Sequence, residues 1–185
     1  MPAALQGWHP GEVKVHQKYG FSEAVREGWR GTENLMREQH RIFHTSNLPF
    51  IPVTTVDDRG RPWGAIVAGA TGEIGFVKSP DTKTLTVDTQ LWPGDPLLDT
   101  ARRWIEAERK HEPTALEDGL IAGLGIEFTT RRRNKFAGRI RGIVPRSDLD
   151  FKLDLEVQEA LGYVCFAILD AGTNVKLIAD AFHRW

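Results

Sequence analysis

The sequence has a single cysteine, Cys165, among its 185 residues. One cysteine excludes an internal disulfide and the zinc-binding patterns that need several cysteines. No apolar run approaches the roughly 18 residues of a membrane-spanning helix. The first 11 residues also lack a basic start followed by an apolar stretch, which argues against a secretory signal. We therefore expect a cytoplasmic protein without a membrane span.

The sequence also lacks a strong excess of charge of either sign. Its formal net charge is −1, with 41% hydrophobic and 26% charged residues. These proportions are typical of a globular protein, and the length suits one domain. A general nucleic-acid binder is usually much more basic. We therefore do not expect nucleic acid as the main partner, although residues 131–141 leave a local phosphate contact open.

One basic stretch departs from this balance. Residues 128–147 contain seven Lys or Arg and no acidic residue. The sequence Arg131-Arg132-Arg133-Asn134-Lys135 lies between two apolar runs punctuated by glycine, which predicts that it sits at or beside a turn between strands. Guanidinium groups bind phosphate and carboxylate through paired donors. The stretch thus suggests a phosphate-bearing ligand, while a solvated turn or pairing with acidic residues remains the alternative.

The first 46 residues are predicted to be helical. Pro10 and Gly20 suit the start and the end of a helix over residues 10–19. Ser22 can cap a short helix that ends before Gly28, and Thr32 can cap a longer helix reaching residue 45. We expect this segment to pack on the domain that follows.

Residues 47–162 have the pattern of a small β-domain. Predicted strands cover residues 50–56, 63–68, 72–77 and 84–87, and Asp57-Asp58-Arg59-Gly60 forms a hairpin turn between the first two. An amphipathic helix is predicted over residues 97–108, strands flank the basic stretch, and residues 154–161 are compatible with a helix. Short strands with many turns favour a small antiparallel barrel.

Three ordered motifs resemble the pyridoxamine 5′-phosphate oxidase-like proteins with an FMN-binding split barrel. They are His9-Pro10-Gly11-Glu12, the hairpin Thr55-Val56-Asp57 with Gly60-Arg61-Pro62-Trp63, and the basic strand of residues 130–135 with Gly138 shortly after it. Together they extend over about 130 residues. The chain looks most like the subgroup of this family that carries all three.

The resemblance implies a six-stranded antiparallel split β-barrel, mainly β with flanking helices, and a homodimer that holds flavin between its subunits. The cofactor would be FMN, with FAD or a deazaflavin as alternatives, and no metal is implied. By position in the family's motifs, ten residues would contact the cofactor. Four lie beside the ring and six near the phosphate or ring edge: Trp63, Gly64, Ala65 and Ile66, and then Thr82, Lys83, Arg131, Arg132, Arg133 and Asn134.

The resemblance ends abruptly at Gly162. Family members continue with Asn-Cys-Pro and a nearby Tyr, whereas this chain continues with Tyr163-Val164-Cys165-Phe166. Residues 163–185 therefore form an atypical tail. One hypothesis is that the tail is not homologous, for example because an intron is retained, and the chain would then be a truncated flavoprotein.

The two histidines His40 and His44 and the single cysteine are further candidate sites. His40 and His44 are four residues apart and could share a metal on one helix face. No third ligand is suitably spaced, so the surface of a helix is the better interpretation. Cys165 has apolar neighbours and is interpreted as a buried structural thiol rather than a nucleophile.

The sequence supports two functional hypotheses of different kinds. The first is an FMN-dependent oxidoreductase that acts on an unidentified small molecule, because the flavin would supply the redox chemistry and the protein the position and charge. The second is a non-catalytic split-barrel protein that holds flavin, haem or another anionic ligand. Turnover with a nicotinamide donor distinguishes them.

Overall fold

The computed structural model describes residues 10–20, 31–57, 59–110 and 119–162. Within these ranges lie three helices and seven strands. The helices are α1 Pro10–Tyr19, α2 Glu38–Ser46 and α3 Pro96–Arg109. The strands are β1 Phe50–Val56, β2 Pro62–Ala68, β3 Val77–Lys78, β4 Thr84–Gln90, β5 Leu120–Glu127, β6 Arg132–Pro145 and β7 Asp150–Gly162.

All seven strands belong to one antiparallel sheet in the order β2-β1-β5-β6-β7-β4-β3. The sheet curls until β2 comes close to β4. The Thr89 hydroxyl accepts from the Ala68 amide at 3.2 Å and donates to the Ala68 carbonyl at 3.0 Å. The curled antiparallel sheet agrees with the predicted split barrel, although it has seven strands instead of six. The additional strand is the two-residue β3.

The core lies inside the curl, where every second strand residue points. In β7 these residues are Phe151, Leu153, Leu155 and Val157, all buried. The amphipathic helix α3 adds buried apolar residues from its first turns, which Asp95 caps by accepting from the Leu97 amide at 2.8 Å. This alternation assigns the remaining strand residues to the outer face.

The two longest strands, β6 and β7, carry two irregularities in their pairing. One lies between Ala137 and Gly138 and the other between Ile140 and Gly142. A Cβ atom on Gly138 would lie 1.8 Å from the backbone oxygen of Glu156. Only glycine therefore allows the close approach of the strands at the first bulge, and bulges of this kind bend a strand.

Several sequence predictions are confirmed. Helix α1 has the predicted ends, α3 extends the predicted helix by one residue at each end, and β1 and β2 form the predicted hairpin. In its turn, Asp57 accepts from the amides of Arg59 and Arg61 at 2.9 Å. The predicted helix of residues 22–27 and the tail of residues 163–185, with Cys165, lie outside the described residues.

Two predicted helices are wrong in part or in full. The helix capped by Thr32 begins only at Glu38, because Glu33 pairs with Ala160 through two backbone hydrogen bonds of 2.9 and 2.8 Å. Residues 154–161, whose sequence is compatible with a helix, instead form part of β7. Both errors arise because the backbone N–H and C=O groups of these segments form hydrogen bonds within the sheet, and these groups are then not available for the hydrogen bonds of a helix.

The predicted strand over residues 72–77 is also wrong for most of its length. Only Val77 joins β3, while Gly72 and Gly75 have φ angles of 71° and 105°. These left-handed conformations do not fit a strand. The segment instead forms a turn between β2 and β3.

The prediction that His40 and His44 lie on a helix surface is wrong. Both are buried, with 5% and 1% of their surface exposed. The ring of His44 packs edge-on between Phe43 and Phe136 at centroid distances of 5.6 and 5.4 Å, and neither of its nitrogens has a hydrogen-bond partner. Burial lowers the pKa of His44 to about 4.

None of the three described helices has the combination of length and apolar character needed to cross a bilayer.

Replacing Gly138 by alanine should lower the free energy of unfolding by about 2 to 4 kcal/mol, because the new methyl group meets backbone rather than a flexible side chain. Gly142→Ala is the matched control in the same strand, since its nearest neighbour would be Asp154 at an ordinary 3.6 Å. Urea unfolding of both variants measures the difference. Equal effects would contradict the role assigned to Gly138.

The burial of His44 should make stability depend on acid. Its pKa lies near 4 when folded and near 6.5 when unfolded, so the unfolded chain binds the proton first as the pH falls. Stability should decrease from about pH 6.5 downward and lose about 3 kcal/mol by about pH 4 from this group. Urea unfolding of His44→Leu across this range should show a flatter acid limb than the wild type.

Both proteins keep His16 and His40, so the difference between them isolates His44. Parallel pH profiles for the wild type and His44→Leu would show that His44 is protonated equally in the folded and unfolded chain.

Candidate functional site

The outer face of β2, β1, β5, β6 and β7 carries two adjoining rows of small and apolar residues. Strand pairing aligns Gly64, Thr54, Ala122, Ala137 and Glu159 across the sheet. The second row lies one pleat further along and contains Ile66, Pro52, Leu124, Lys135 and Leu161. Ten residues from five strands thus form a weakly polar floor.

This floor belongs to a groove of about 1400 Å³. The groove is also lined by Trp92 and Asp95 from the connection between β4 and α3. Among the described lining residues, the charged ones are Lys135, Glu159 and Asp95. The groove is therefore mainly apolar and has few fixed charges, which is typical of sites for small organic ligands.

The outer face of β4 and of the first half of β7 has a different character. Its residues form ion pairs, including Asp88 with Lys78 at 3.4 Å and with Arg146 at 2.8 Å. Lys152 pairs with Asp154 at 3.2 Å, and Asp154 accepts from Thr86 at 3.0 Å. On this half of the outer surface the charged side chains pair with one another, and the surface is suited to contact with water. The groove lies on the other half.

Arg132 is committed to a local cluster at the turn between β5 and β6. Its Nε donates to Glu127 at 2.8 Å, and its guanidinium lies 5.6 Å from the centre of the Phe43 ring. Glu127 also accepts from Thr130 and, at 2.6 Å, from Asn47. The bond from Arg132, followed by those from Thr130 and Asn47, lowers the pKa of Glu127 to about 2. Arg132 thus holds the turn and does not line the groove.

Three other cations lie on the outer face of β6. Strand alternation places Arg133, Lys135 and Arg139 on the same side as Ala137, opposite Ile126, Leu124 and Leu120 of β5. Within the described part of the chain, the side chains of these three residues form no hydrogen bond or ion pair. Lys135 lines the groove, and Arg133 lies one pleat beyond it. Positive charge is therefore available beside the apolar floor.

Strand β2 positions part of the predicted ring contact. Gly64, Ala65 and Ile66 line the groove, with Gly64 and Ile66 on the outer face. Trp63 pairs with buried Thr55 and so points to the opposite face. Its indole nitrogen donates to Asp57 at 3.0 Å, and Arg61 lies 5.5 Å from its ring centre. Trp63 therefore supports the hairpin turn from outside the groove.

The other predicted site residues lie away from the groove. Arg131 occupies the β5–β6 turn with a φ of 60°. Asn134 is buried near His40. The side chains of these two residues fill the space that a Cβ atom on Gly162 would occupy. Thr82 and Lys83 are exposed, and their carbonyls accept from the amides of Met36 at 2.8 Å and Val157 at 2.6 Å. The structure thus brings together three of the ten predicted residues.

Lys135 and Trp92 are among the groove residues that the sequence interpretation did not assign to the site. The signal for Lys135 was present, because Arg133, Lys135 and Ala137 alternate with the core residues Asn134 and Phe136. Trp92 comes from a connecting turn, and no periodic pattern marks its direction.

The described residues contain no group of three or more His, Cys, Asp or Glu side chains placed to hold a metal ion. The imidazoles of His40 and His44 share a buried helix face, but their nearest described polar neighbours do not complete a ligand set.

The sequence matches no protein-family model and no curated protein. Among solved structures, HupZ of Group A Streptococcus is 15% identical with a TM-score of 0.44, over 69% of this chain and 94% of HupZ. An FMN-binding protein of Syntrophomonas wolfei is 9% identical with a TM-score of 0.43, over 82% and 96%.

A third solved structure is the Clostridium acetobutylicum protein related to general stress protein 26, described as of the pyridoxinephosphate oxidase family. It is 10% identical with a TM-score of 0.42, over 68% of this chain and 85% of that one. At these low identities and TM-scores, the similarity does not assign an activity to this chain. The chain is similar, at a distance, to solved pyridoxamine 5′-phosphate oxidase-like and FMN-binding proteins.

Proposed function

We propose that the groove binds a flavin, FMN in the first instance, and that the protein is a flavin-dependent oxidoreductase acting on a small organic molecule. The observation that carries this proposal is the mainly apolar floor of the groove, with unpaired cations along one side. A three-ring flavin is planar and mostly apolar, and its phosphate is anionic. FAD and a deazaflavin are the alternatives that share this three-ring form.

The floor suits a planar ring because its central residues are small. Gly64, Ala122 and Ala137 lie in one row, and a Cβ atom on Gly64 would have no neighbour within 4 Å. A ring could therefore lie flat against the strands. Thr54 in the same row is exposed and offers a hydroxyl for hydrogen bonding.

Strand β2 offers backbone groups to the ring edge. It ends the order of the described sheet, and β1 is its only strand partner there. In an antiparallel edge strand, alternate residues direct their N–H and C=O groups away from the partner. Gly64 and Ala65 lie on this strand, where the sequence resemblance implies ring contacts. Such groups can recognise the polar edge of a flavin without a charged side chain.

Lys135 and Arg133 are the proposed phosphate contacts. They flank the floor on one face of β6 and, among described residues, pair with no acid. Arg132 is not assigned this role, because its Nε donates to Glu127 and the residue does not line the groove. A bound flavin would supply the electron transfer, and these cations would hold and orient it while the apolar floor excludes water.

We also propose a homodimer formed through the same outer face. Large apolar side chains remain exposed on it, including Ile66 at 51% and Leu120 at 46%. Contiguous exposed apolar surface marks interaction sites, whereas the paired outer face of β4 and of the first half of β7 needs no partner. A second copy would cover the groove and complete its wall.

Replacing Lys135 by alanine should weaken FMN binding about ten- to a hundred-fold, the loss expected for one charge-assisted contact. Arg132→Ala should change the dissociation constant by less than about three-fold, because its guanidinium is held by Glu127. Quenching of flavin fluorescence during titration measures both.

Two controls make the test of Lys135 specific. Lys152→Ala removes a paired lysine from the polar outer face and should leave FMN binding unchanged. Riboflavin lacks the phosphate, so its affinity should be the same for the wild type and Lys135→Ala. A larger loss with Arg132→Ala than with Lys135→Ala would place the phosphate at the turn.

Catalysis is tested with the protein loaded with FMN. Anaerobic mixing with NADH or NADPH should bleach the flavin absorbance, and air or an organic acceptor should restore it. Tight FMN binding without reduction by either donor would favour the non-catalytic binding protein.

Introducing a lysine at Leu120 should weaken the dimer at least about ten-fold, because a charge beside Arg139 would be buried at the interface. Ile42→Lys is the matched control, since Ile42 is similarly exposed, at 52%, but lies on α2. Sedimentation equilibrium measures the dimer constant for each. A wild-type monomer at all concentrations would refute the dimer.

A further inference from the structure

Trp92 is a large apolar side chain held in the open at one end of the groove. It lines the groove, yet 63% of its surface is exposed. Within the described part of the chain, its ring contacts no other aromatic ring and no cation. A tryptophan side chain with this exposure would bury a large apolar surface against a planar partner.

The backbone on both sides of Trp92 is fixed. The Leu91 amide donates to Leu149 at 2.8 Å, and the Asp95 amide donates to the Trp92 carbonyl at 3.0 Å. Leu91 and Leu97 are both fully buried. A short turn anchored in the core at both ends thus fixes the Trp92 backbone at this end of the groove.

Asp95 provides charge at the same end. Its Oδ1 caps α3 by accepting from the Leu97 amide, while Oδ2 accepts no hydrogen bond among the described residues. Asp95 also lines the groove. The Trp92 end therefore combines an aromatic face with a carboxylate oxygen that remains available.

The cation of the groove lies on the other side of the floor. Thr89 ties the end of β4 to Ala68 of the edge strand β2, which places the Trp92 turn beside β2. Lys135 is on β6, three strands away in the sheet order. Three inter-strand spacings amount to about 14 Å. The groove thus has an aromatic end with the Asp95 carboxylate, and a far side where Lys135 lies near Glu159 of the neighbouring strand.

The groove is also larger than one ligand requires. Its volume is about 1400 Å³, whereas pockets for single small ligands measure roughly 300 to 1000 Å³. A flavin held by Lys135 and β2 would leave room near Trp92.

Building on the proposed flavin site, we propose that Trp92 and Asp95 form a second subsite that binds a planar cationic substrate beside the cofactor. The indole face attracts a cation through its π electrons, and the Asp95 carboxylate adds a direct charge contact. Both residues disfavour an anion. The substrate class is therefore an aromatic or conjugated ring that carries a positive charge.

The proposal is tested with two planar probes of matched size, the cation 1-methylquinolinium and the anion 2-naphthoate, by equilibrium dialysis against FMN-loaded protein. The cation should bind at least about ten-fold more tightly than the anion. Equal binding of the two probes, or displacement of FMN by 1-methylquinolinium, would overturn the second subsite.

Variants assign the binding to the two residues. Trp92→Ala and Asp95→Asn should each weaken 1-methylquinolinium binding at least about five-fold. Asparagine caps a helix as well as aspartate does, so Asp95→Asn removes the charge and keeps the cap. Asp99→Asn removes an exposed charge from the same first turn, outside the groove, and should have no effect. Unchanged binding by Trp92→Ala with wild-type circular dichroism would refute the proposal.

The flavin site and the second subsite fail in different ways. Wild-type protein that takes up no FMN refutes the flavin site directly, and the same probes are then measured on the cofactor-free protein. Protein that binds FMN but shows no preference for the cationic probe refutes only the second subsite.

Discussion

The close approach of β6 and β7 at Gly138 is the constraint on which the rest of the structure depends. A side chain there would meet the Glu156 carbonyl, so the bulge requires glycine. The two strands are 14 and 13 residues long. They form the middle of the sheet, and a bend in them lets its ends approach until Thr89 can bind Ala68. Without the bend, the core and the groove could not lie on opposite sides of one curled sheet.

The curled sheet divides its outer surface into two chemically different halves. On β4 and the first half of β7, acids and bases face one another and pair, as Asp88 does with Lys78 and Arg146. On β2, β1, β5, β6 and the second half of β7, the floor is mainly apolar, and the side chains of Lys135 and Arg133 have no partner among described residues. A contiguous exposed apolar surface marks an interaction site, and the cations beside it can contact an anionic ligand. This division is the physical basis of the proposed flavin site and dimer.

Helix α2 joins this site to the core. Its buried histidines pack against the inner side of the strands whose outer side forms the groove. His44 contacts Phe136, and Phe136 itself lines the groove. An imidazole without hydrogen-bond partners is tolerated there only in its neutral form, because burial lowers its pKa. Protonation of His44 at low pH should therefore destabilise the packing beneath the floor of the groove.

The sequence by itself determined the features that local chemistry controls. Proline and glycine set the ends of α1, Asp57 closed the β1–β2 turn, and apolar spacing defined α3. The basic stretch was correctly placed at or beside a turn between strands, with Arg131 in the turn and residues 132–135 at the start of β6. Tertiary structure alone decided that residues 154–161 form a strand, that His40 and His44 are buried, and that Glu127 holds Arg132 while Lys135 faces the groove. Each of these depends on a partner distant in sequence or on which face of the sheet is covered, and local patterns contain neither.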